Sequence, residues 1–243
     1  MIVTNIKTFK SVFCGLSKIC DEVKFRLDSD ELYCSFLNRS HTIFCRAFIK
    51  CVNICDDEKN TTFVIDLYGF EKVLKNIKNS GELSIKLSDS YIDILYKNNN
   101  SKKNYRLGLL NSDGAESREP PTLNYDMLNI PLEFIKESLN DIKLVSTESC
   151  VFTIDEKWFL ISIKEPTMML MDYNNSIELD NLHENQKATY TINLLELFLE
   201  FKDISSELMV GFKTDYPLKL VISNNDALIE GVVAPRLEED EDE

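Results

Sequence analysis

The segment Phe9-Lys-Ser-Val-Phe-Cys-Gly-Leu-Ser-Lys-Ile19 decides the fold, because its pattern occurs twice in the chain. Its apolar residues recur at helical spacing and predict one buried helix face; they are Phe9, Phe13, Leu16 and Ile19. The stripe returns 126 residues later as Ile135, Leu139, Ile142 and Val145. One amphipathic helix is therefore predicted near the start of each half of the chain.

Two further segments repeat in the same order and at nearly the same distance. Phe63-Val-Ile-Asp-Leu67 is predicted to open a second helix, and Tyr190-Thr-Ile-Asn-Leu194 opens another 127 residues later. Glu82-Leu-Ser-Ile-Lys-Leu87 predicts a strand, which Glu207-Leu-Met-Val-Gly-Phe212 repeats at a distance of 125 residues. Because the order and the spacing agree, we predict one α+β unit that is used twice.

The composition sets the limits of this prediction. With 243 residues and 44% apolar composition, the chain can bury two cores of about 115 residues each. A net charge of −14 argues, on average, against contact with phosphate. Seven cysteines without a secretory leader indicate reduced thiols in an intracellular protein. No apolar run is long enough to span a membrane, so neither secretion nor a membrane span is expected.

Alternating and helical patterns predict the remaining elements. Strands are predicted over 31–37, 43–49, 83–87, 91–96 and 105–110, and then over 150–154, 158–163, 168–173, 177–182, 208–212 and 218–222. Helices are predicted at about 8–20, 69–79, 131–145 and 193–202. The polar segment 111–124 contains Pro-Pro and separates the halves. We predict a first unit over 1–116, a connector over 117–127, a second unit over 128–237 and a disordered acidic tail over 238–243.

The helix faces opposite the apolar stripes are unusually basic in the first half. The outward lysines are Lys7, Lys10, Lys18, Lys72 and Lys75, joined in the second half by Lys136 and Lys143. One interpretation is a solvated helix face without a binding function. Two basic faces in a chain with 41 acidic and 27 basic residues favour a surface for a phosphate backbone. The second half is more mixed, since it adds Glu133, Glu137, Glu196 and Glu200.

The C-terminal segments carry a resemblance to a known family. Thr214-Asp-Tyr-Pro-Leu-Lys-Leu220 and Val233-Ala-Pro-Arg-Leu-Glu238 resemble the closing strand and tail of proliferating cell nuclear antigen (PCNA), the DNA sliding clamp of archaea and eukaryotes. Leu37-Asn-Arg-Ser-His41, Asp66–Lys75 and Leu144–Ser146 fit the same family in order along the chain. The Arg of the Ala-Pro-Arg ending and the length resemble the archaeal type.

The resemblance implies a duplicated two-domain clamp fold in a ring of three chains. Helices would line a central hole, with antiparallel sheets outside, and the seven lysines would contact the backbone of duplex DNA without sequence preference. Subunits would join through edge strands at about 105–111 and 177–182. The implied interface residues are Arg106, Leu107 and Leu109 on one edge, and Ile177, Glu178, Leu179 and Asp180 on the other.

The resemblance also implies a pocket for short peptides with aromatic anchors. Its positions are Leu37, His41, Phe44, Leu123, Met127, Pro217, Ala234, Pro235, Arg236 and Leu237. DNA polymerase, the clamp loader, ligase and a flap nuclease would dock there. Val232 and the polar segment 117–119 depart from the family pattern, so partner preference is expected to differ. The protein would work with the chromosome, in the cytoplasm or nucleoid of an archaeon or in a eukaryotic nucleus.

No motif for catalysis stands out. His41 and His183 cannot form a typical zinc site unaided, and Cys51 and Cys55 lack a second ligand pair. No glycine-rich phosphate loop and no nucleophile elbow occurs. We therefore expect a processivity factor without catalysis, cofactor or metal. The alternatives are a monomeric two-domain binding module without DNA encirclement, and an enzyme built from dispersed carboxylates.

Overall fold

The computed structural model describes residues 1–52, 61–111, 119, 122–144, 148–163 and 172–236. They form two compact units. The first comprises the described residues of 1–121, 200–205 and 222–230, and the second those of 122–199, 206–221 and 231–243. The predicted domain boundaries remain predictions. The predicted tail at 238–243 lies outside the described residues, as does part of the predicted connector.

The described elements repeat in one order. The first half contains β1 (Ile2–Val3), α1 (Ile6–Ile19), β2 (Glu22–Leu27), β3 (Glu31–Leu37), β4 (Ile43–Val52), β5 (Thr61–Asp66), α2 (Leu67–Lys75), β6 (Glu82–Leu87), β7 (Tyr91–Asn98) and β8 (Ser101–Gly108). The second half contains β9 (Leu128–Pro131), α3 (Leu132–Lys143), β10 (Ser149–Asp155), β11 (Trp158–Ile163), β12 (Asn174–Glu178), β13 (Gln186–Thr191), α4 (Ile192–Leu199), β14 (Glu207–Gly211), β15 (Leu218–Ser223) and β16 (Ala227–Val233). The order of helices and strands is identical in the two halves, which confirms the predicted duplication.

Antiparallel pairing organises each unit. In the first unit the strands follow the order β5-β2-β3-β4-β1-β6-β7-β8, and β8 lies at an edge of the described sheet. In the second unit the strands form the sets β12-β11-β10-β13 and β15-β14-β9. Helices α1 and α2 pack together in the first unit, and α3 and α4 do so in the second.

Aromatic side chains fill the core at repeated positions. In the first unit the ring of Phe13 lies 5.2 Å from that of Phe25 on β2 and 4.6 Å from that of Phe70 on α2. In the second unit Phe152 on β10 stands 127 residues after Phe25, and its ring lies 5.4 Å from that of Phe159. These rings are fully buried, so each helix pair is fixed by its apolar side.

Side-chain caps fix where the first-unit helices begin. The side chain of Asn5 accepts a hydrogen bond from the Thr8 N–H at 3.1 Å at the start of α1. The side chain of Asp66 accepts from the N–H groups of Tyr68 and Gly69 at the start of α2. These caps satisfy backbone donors that have no partner within the helix.

Three predictions about elements were wrong. Residues 63–66 belong to strand β5, which pairs with β2, and the helix begins only at Leu67 because Asp66 caps it. Likewise, Tyr190 and Thr191 end strand β13 before α4. The strand predicted at 177–182 lies at Asn174–Glu178. Of the strand predicted at 168–173, residues 168–171 lie outside the described part of the chain, as does Val145 of the apolar stripe.

A glycine in α1 allows a test of the packing in the first unit. A Cβ atom at Gly15 would lie 2.2 Å from Cε1 of Phe201, whose side chain is fully buried. Helix propensity alone would make Gly15→Ala stabilising by about 1 kcal/mol. We expect the opposite, a fall in Tm of roughly 3–8 °C, because the overpacked ring cannot move aside.

Differential scanning calorimetry measures this change. The control is Cys14→Ala, which places alanine at the neighbouring, half-exposed position of α1 without adding side-chain volume and should leave Tm unchanged or slightly higher. A rise in Tm for Gly15→Ala would show that the contact with Phe201 is not tight.

Candidate nucleic-acid interface

The outer side of the helix pair in the first unit carries the predicted lysines. Lys7, Lys18, Lys72 and Lys75 are exposed and Lys10 is half-buried, while Phe9, Val12, Phe13 and Leu16 on the opposite side of α1 are fully buried. We call the surface formed by Lys7, Lys10, Lys18, Lys72 and Lys75 the lysine face. It arises because burial of the apolar stripe leaves the charged residues of α1 and α2 toward solvent.

Neighbouring groups position several of these lysines. Lys10 Nζ donates to the carbonyl oxygen of Ile77 at 2.5 Å and to Asn79 Oδ1 at 3.1 Å. The Nζ atom of Lys72 lies 3.9 Å from the centre of the Tyr68 ring. Tyr68 is 60% exposed, so this cation–π contact keeps the charge at the surface. Tyr68 was not predicted from the sequence. The pattern that could have indicated it is an aromatic residue four positions before Lys72 on the same helix.

A buried carboxylate lies within the lysine face. The side chain of Glu71 is only 6% exposed, and its Oε1 lies 2.8 Å from Lys75 Nζ and 3.8 Å from Lys18 Nζ. Burial alone would raise the pKa of Glu71, but the hydrogen bond from Lys75 and the charge of Lys18 outweigh it and hold the pKa below its ordinary value. Glu71 therefore stays ionised and joins α1 to α2.

A thiol lies beside this carboxylate. Cys14 is half-exposed, and burial, followed by the nearby Glu71 charge, raises the pKa of its thiol. Burial also raises the pKa of Cys51 to about 11. Both thiols are therefore protonated and poorly nucleophilic near neutral pH. Cys55 lies outside the described residues.

The helix pair of the second unit is more acidic. Lys136 Nζ lies 2.8 Å from Glu133 Oε1, and Lys143 Nζ lies 2.8 Å from Glu196 Oε1 on α4. Glu137 on α3 is also exposed. Both predicted lysines of this unit are thus paired with carboxylates. In the lysine face Lys7, Lys18 and Lys75 are paired with Asp203 and Glu71, while Lys10 and Lys72 contact neutral groups and keep their charge available.

The predicted interface strands lie at edges of the described sheets. On β8, Arg106 donates to Asp93 at 2.7 and 3.0 Å and stacks 4.0 Å over Tyr91. Leu107 on the same strand and Leu109 just after it are half-buried. The hydrogen bond from Arg106 lowers the pKa of Asp93. Arg106 is thus already held by its own unit.

On the other edge, Ile177 and Glu178 end strand β12, and the residues that follow leave it. The side chain of Leu179 is buried and its N–H donates to the carbonyl oxygen of Lys157 at 2.6 Å, whereas Asp180 is exposed. The exposed Trp158, which sequence reasoning placed in a strand or core, lies opposite Glu178 in the ladder.

The predicted pocket residues of the first unit surround a tight turn. Leu37 and Phe44 face each other across the β3–β4 ladder. His41 adopts a left-handed conformation with φ of 58° in the turn between them, and its N–H donates to the Asn38 carbonyl oxygen. The Asn38 side chain holds the turn by accepting from the N–H groups of Thr42 and Ile43.

The predicted pocket residues of the second unit are held by backbone contacts. The Arg236 N–H donates to the Thr189 carbonyl oxygen at 2.8 Å, and its guanidinium pairs with Glu148 at 2.9 Å. The carbonyl oxygen of Pro217 accepts from Tyr125, which sequence reasoning missed because it lies in an irregular segment. Leu123, Met127 and Pro235 are half-buried and Ala234 is exposed. Leu237 lies outside the described residues.

Comparisons with known proteins agree on one family. The chain is 25% identical over 247 residues to the protein named DNA polymerase sliding clamp of Methanobrevibacter smithii, with 98% of each chain covered. It is 22% identical to the DNA polymerase sliding clamp of Methanothermobacter thermautotrophicus, over 96% of this chain and 95% of the relative. Over nearly its full length the chain is thus similar to archaeal proteins named DNA polymerase sliding clamp. No family model matches it.

Solved structures of sliding clamps share the fold over the full chain. The clamp of Entamoeba histolytica, titled proliferating cellular nuclear antigen, matches with a TM-score of 0.85 at 18% identity, covering 97% of this chain and 98% of that one. The PCNA of A. fulgidus, solved with the C-terminal region of FEN-1, matches with a TM-score of 0.84 at 18% identity, covering 99% and 100%. These likenesses confirm the predicted duplicated α+β clamp fold.

None of the described helices is long and apolar enough to cross a membrane. Within the described residues, no group of three or more His, Cys, Asp or Glu side chains is arranged to hold a metal ion.

The ion pairs of Glu71 predict a pH-dependent contribution to stability. Because the folded-state pKa is lowered, the contribution is fully present above the ordinary value of 4.5 and is lost as pH falls through the folded-state pKa. We expect Glu71→Gln to lower Tm by roughly 2–4 °C at pH 7, which corresponds to about 1 kcal/mol in a chain of this size.

Thermal unfolding followed by circular dichroism from pH 7 to pH 3 tests this expectation. The Tm difference between Glu71→Gln and the native protein should shrink below pH 4.5. A difference that stays constant down to pH 3 would mean that Glu71 acts through packing rather than through its charge.

Proposed function

We propose that this protein is a DNA sliding clamp, a non-catalytic processivity factor for DNA replication that encircles duplex DNA as a ring of three subunits. The observation that carries the proposal is the lysine face, a concentration of positive charge in a chain of net charge −14. The clamp fold supplies the context, since the four helices would together line the hole of the ring. An acidic exterior then coexists with a basic interior.

The geometry of the lysine face suits loose contact with a phosphate backbone. Lysine ammonium groups on flexible stems neutralise phosphates without fixing a base-specific geometry. Such contacts are sequence-independent and salt-sensitive, which lets a protein slide along DNA. The ring itself retains the DNA, so the local affinity need not be high. Because Lys136 and Lys143 are paired with carboxylates, the first unit would provide most of the DNA contact.

We propose that the ring closes by pairing the β8 edge of one subunit with the β12 edge of the next. An exposed edge strand invites pairing with another chain, and a closed ring leaves no such edge free. Leu107, Leu109 and Ile177 are half-buried within their own units and would be covered by the contact. Glu178 and Asp180 are exposed and would meet the guanidinium of Arg106. A homotrimer is the simplest assembly, although the solved Sulfolobus tokodaii relative is a PCNA2-PCNA3 complex.

We propose that replication and repair enzymes dock through short peptides at the predicted pocket. The A. fulgidus relative, solved with the C-terminal region of FEN-1, supports a flap nuclease as one such partner. DNA polymerase, the clamp loader and ligase would use the same mode of docking. The archaeal sliding-clamp relatives support an intracellular protein that works on the chromosome, in the cytoplasm or nucleoid of an archaeal cell.

Charge reversal on the lysine face tests the proposed function. We expect the triple variant Lys10→Glu, Lys72→Glu and Lys75→Glu to bind a fluorescent DNA duplex at least ~10-fold more weakly, because each subunit loses several phosphate contacts. Stimulation of DNA synthesis in a primer-extension assay should be abolished. Light scattering should still give a mass near three times 28.1 kDa, since these residues lie on helices rather than on edge strands.

A matched control changes the same charge elsewhere on the first unit. Lys50, Lys86 and Lys97 are exposed on strands, and their joint change to Glu should leave stimulation close to that of the native protein. Unchanged stimulation by the Lys10, Lys72 and Lys75 variant would contradict the assignment of the DNA-facing surface. Equal loss in both triple variants would show that only the net charge matters.

A further inference from the structure

One ion pair occurs at the same place in both units. In the first unit Lys18, in the last turn of α1, lies 3.8 Å from Glu71 on α2. In the second unit Lys143, at the end of α3, lies 2.8 Å from Glu196 on α4. The two lysines are 125 residues apart, and so are the two glutamates. The duplication has therefore kept a carboxylate that joins the two helices of each pair beside their lysines.

The surroundings of the two carboxylates differ. Glu71 is 6% exposed and also holds Lys75, whereas Glu196 is 29% exposed and pairs with Lys143. The position that corresponds to Lys75, again 125 residues later, is Glu200. One carboxylate thus restrains two lysines in the first unit, and a more accessible carboxylate restrains one lysine in the second.

A carboxylate that pairs with a lysine reduces the positive charge that this lysine has available for DNA. An ammonium group that already donates to an ionised carboxylate must give up that contact, or share it, before it can neutralise a phosphate. The competition is strongest for Glu71, because a buried carboxylate that loses its partners is left as an uncompensated charge. Lys72 and Lys10 contact an aromatic ring and neutral oxygen atoms instead, so their charges are not cancelled.

We propose that Glu71 and Glu196 are positioning residues that hold Lys18, Lys75 and Lys143 against the helices and thereby weaken the grip of the clamp on DNA. This inference rests on the proposed function, since it assumes that the lysine face meets DNA. A ring that retains DNA by encircling it is helped by weak local contacts, because every strong phosphate contact slows sliding. The two carboxylates would thereby limit how strongly phosphate contacts slow the sliding of the ring.

Removal of either carboxylate charge should tighten DNA binding, a change that loss of stability alone would not produce. Removing either carboxylate charge frees lysines to contact phosphate, and each additional contact steepens the slope of log K against log salt by about 0.9. We expect Glu71→Gln to bind a 30-base-pair duplex about 3–10-fold more tightly near 100 mM salt, with a slope steeper by about 1–3 for the ring. Glu196→Gln should change both quantities in the same direction but by less.

The experiment measures fluorescence anisotropy from 50 to 300 mM salt for the full-length protein and its variants, with Tm recorded for each. The control Glu137→Gln removes the same charge from an exposed position on α3 and should leave the slope unchanged. Adding Lys18→Ala and Lys75→Ala to Glu71→Gln should return the slope to the native value or below it. The half-exposed Glu196 provides a second variant that tests the same idea if Glu71→Gln folds poorly.

The outcomes separate this inference from the proposed function. Unchanged or weaker DNA binding by both glutamine variants, together with loss of binding in the Lys10, Lys72 and Lys75 variant, would overturn the inference and leave the function standing. An equal steepening of the slope by Glu137→Gln would also overturn it, because the effect would then come from net charge. Native-like binding by the Lys10, Lys72 and Lys75 variant would overturn both.

Discussion

Burial of the apolar sides of two helices in each unit is the constraint on which the rest of the structure depends. Phe13 and Phe70 touch across α1 and α2, and both rings are covered by the sheet below. Once the apolar sides are packed, the polar sides of the two helices lie on one surface. The residues at those polar positions then determine the charge of that surface. The lysine face therefore follows from core packing.

Sequence patterns predicted these helices well because their apolar stripes are long and regular. Strands β3 and β11 were predicted with their observed bounds because each is a short run rich in apolar residues, although β3 is buried on both faces rather than on one. Residues 63–66 were misread because the strand Thr61–Asp66 runs into α2 without a break, and apolar residues suit both elements. Where a cap such as Asp66 divides two elements, periodicity alone does not place the boundary.

In the candidate site, too, features set by a single helix were predictable from the sequence, and features set by contacts between helices were not. The outward direction of Lys7, Lys18, Lys72 and Lys75 follows from helix geometry and was predictable. The burial of Glu71 was not, because it depends on how closely α2 approaches α1 and on the lysines that cover the carboxylate. The duplication has kept the pair of Glu71 and Lys18 as Glu196 and Lys143, while Lys75 has become Glu200. The units thus share a fold and differ in charge.

The proposed enclosure of DNA by three copies of this chain is tested most directly by comparing retention on closed and open DNA. The protein is assembled on a nicked circular plasmid with a clamp loader and ATP, and free protein is removed by gel filtration. We expect the protein to stay with the circle and to be released within minutes once a restriction enzyme linearises the plasmid, because a ring slides off a free end. Equal retention on circular and linear DNA would contradict encirclement and indicate ordinary surface binding.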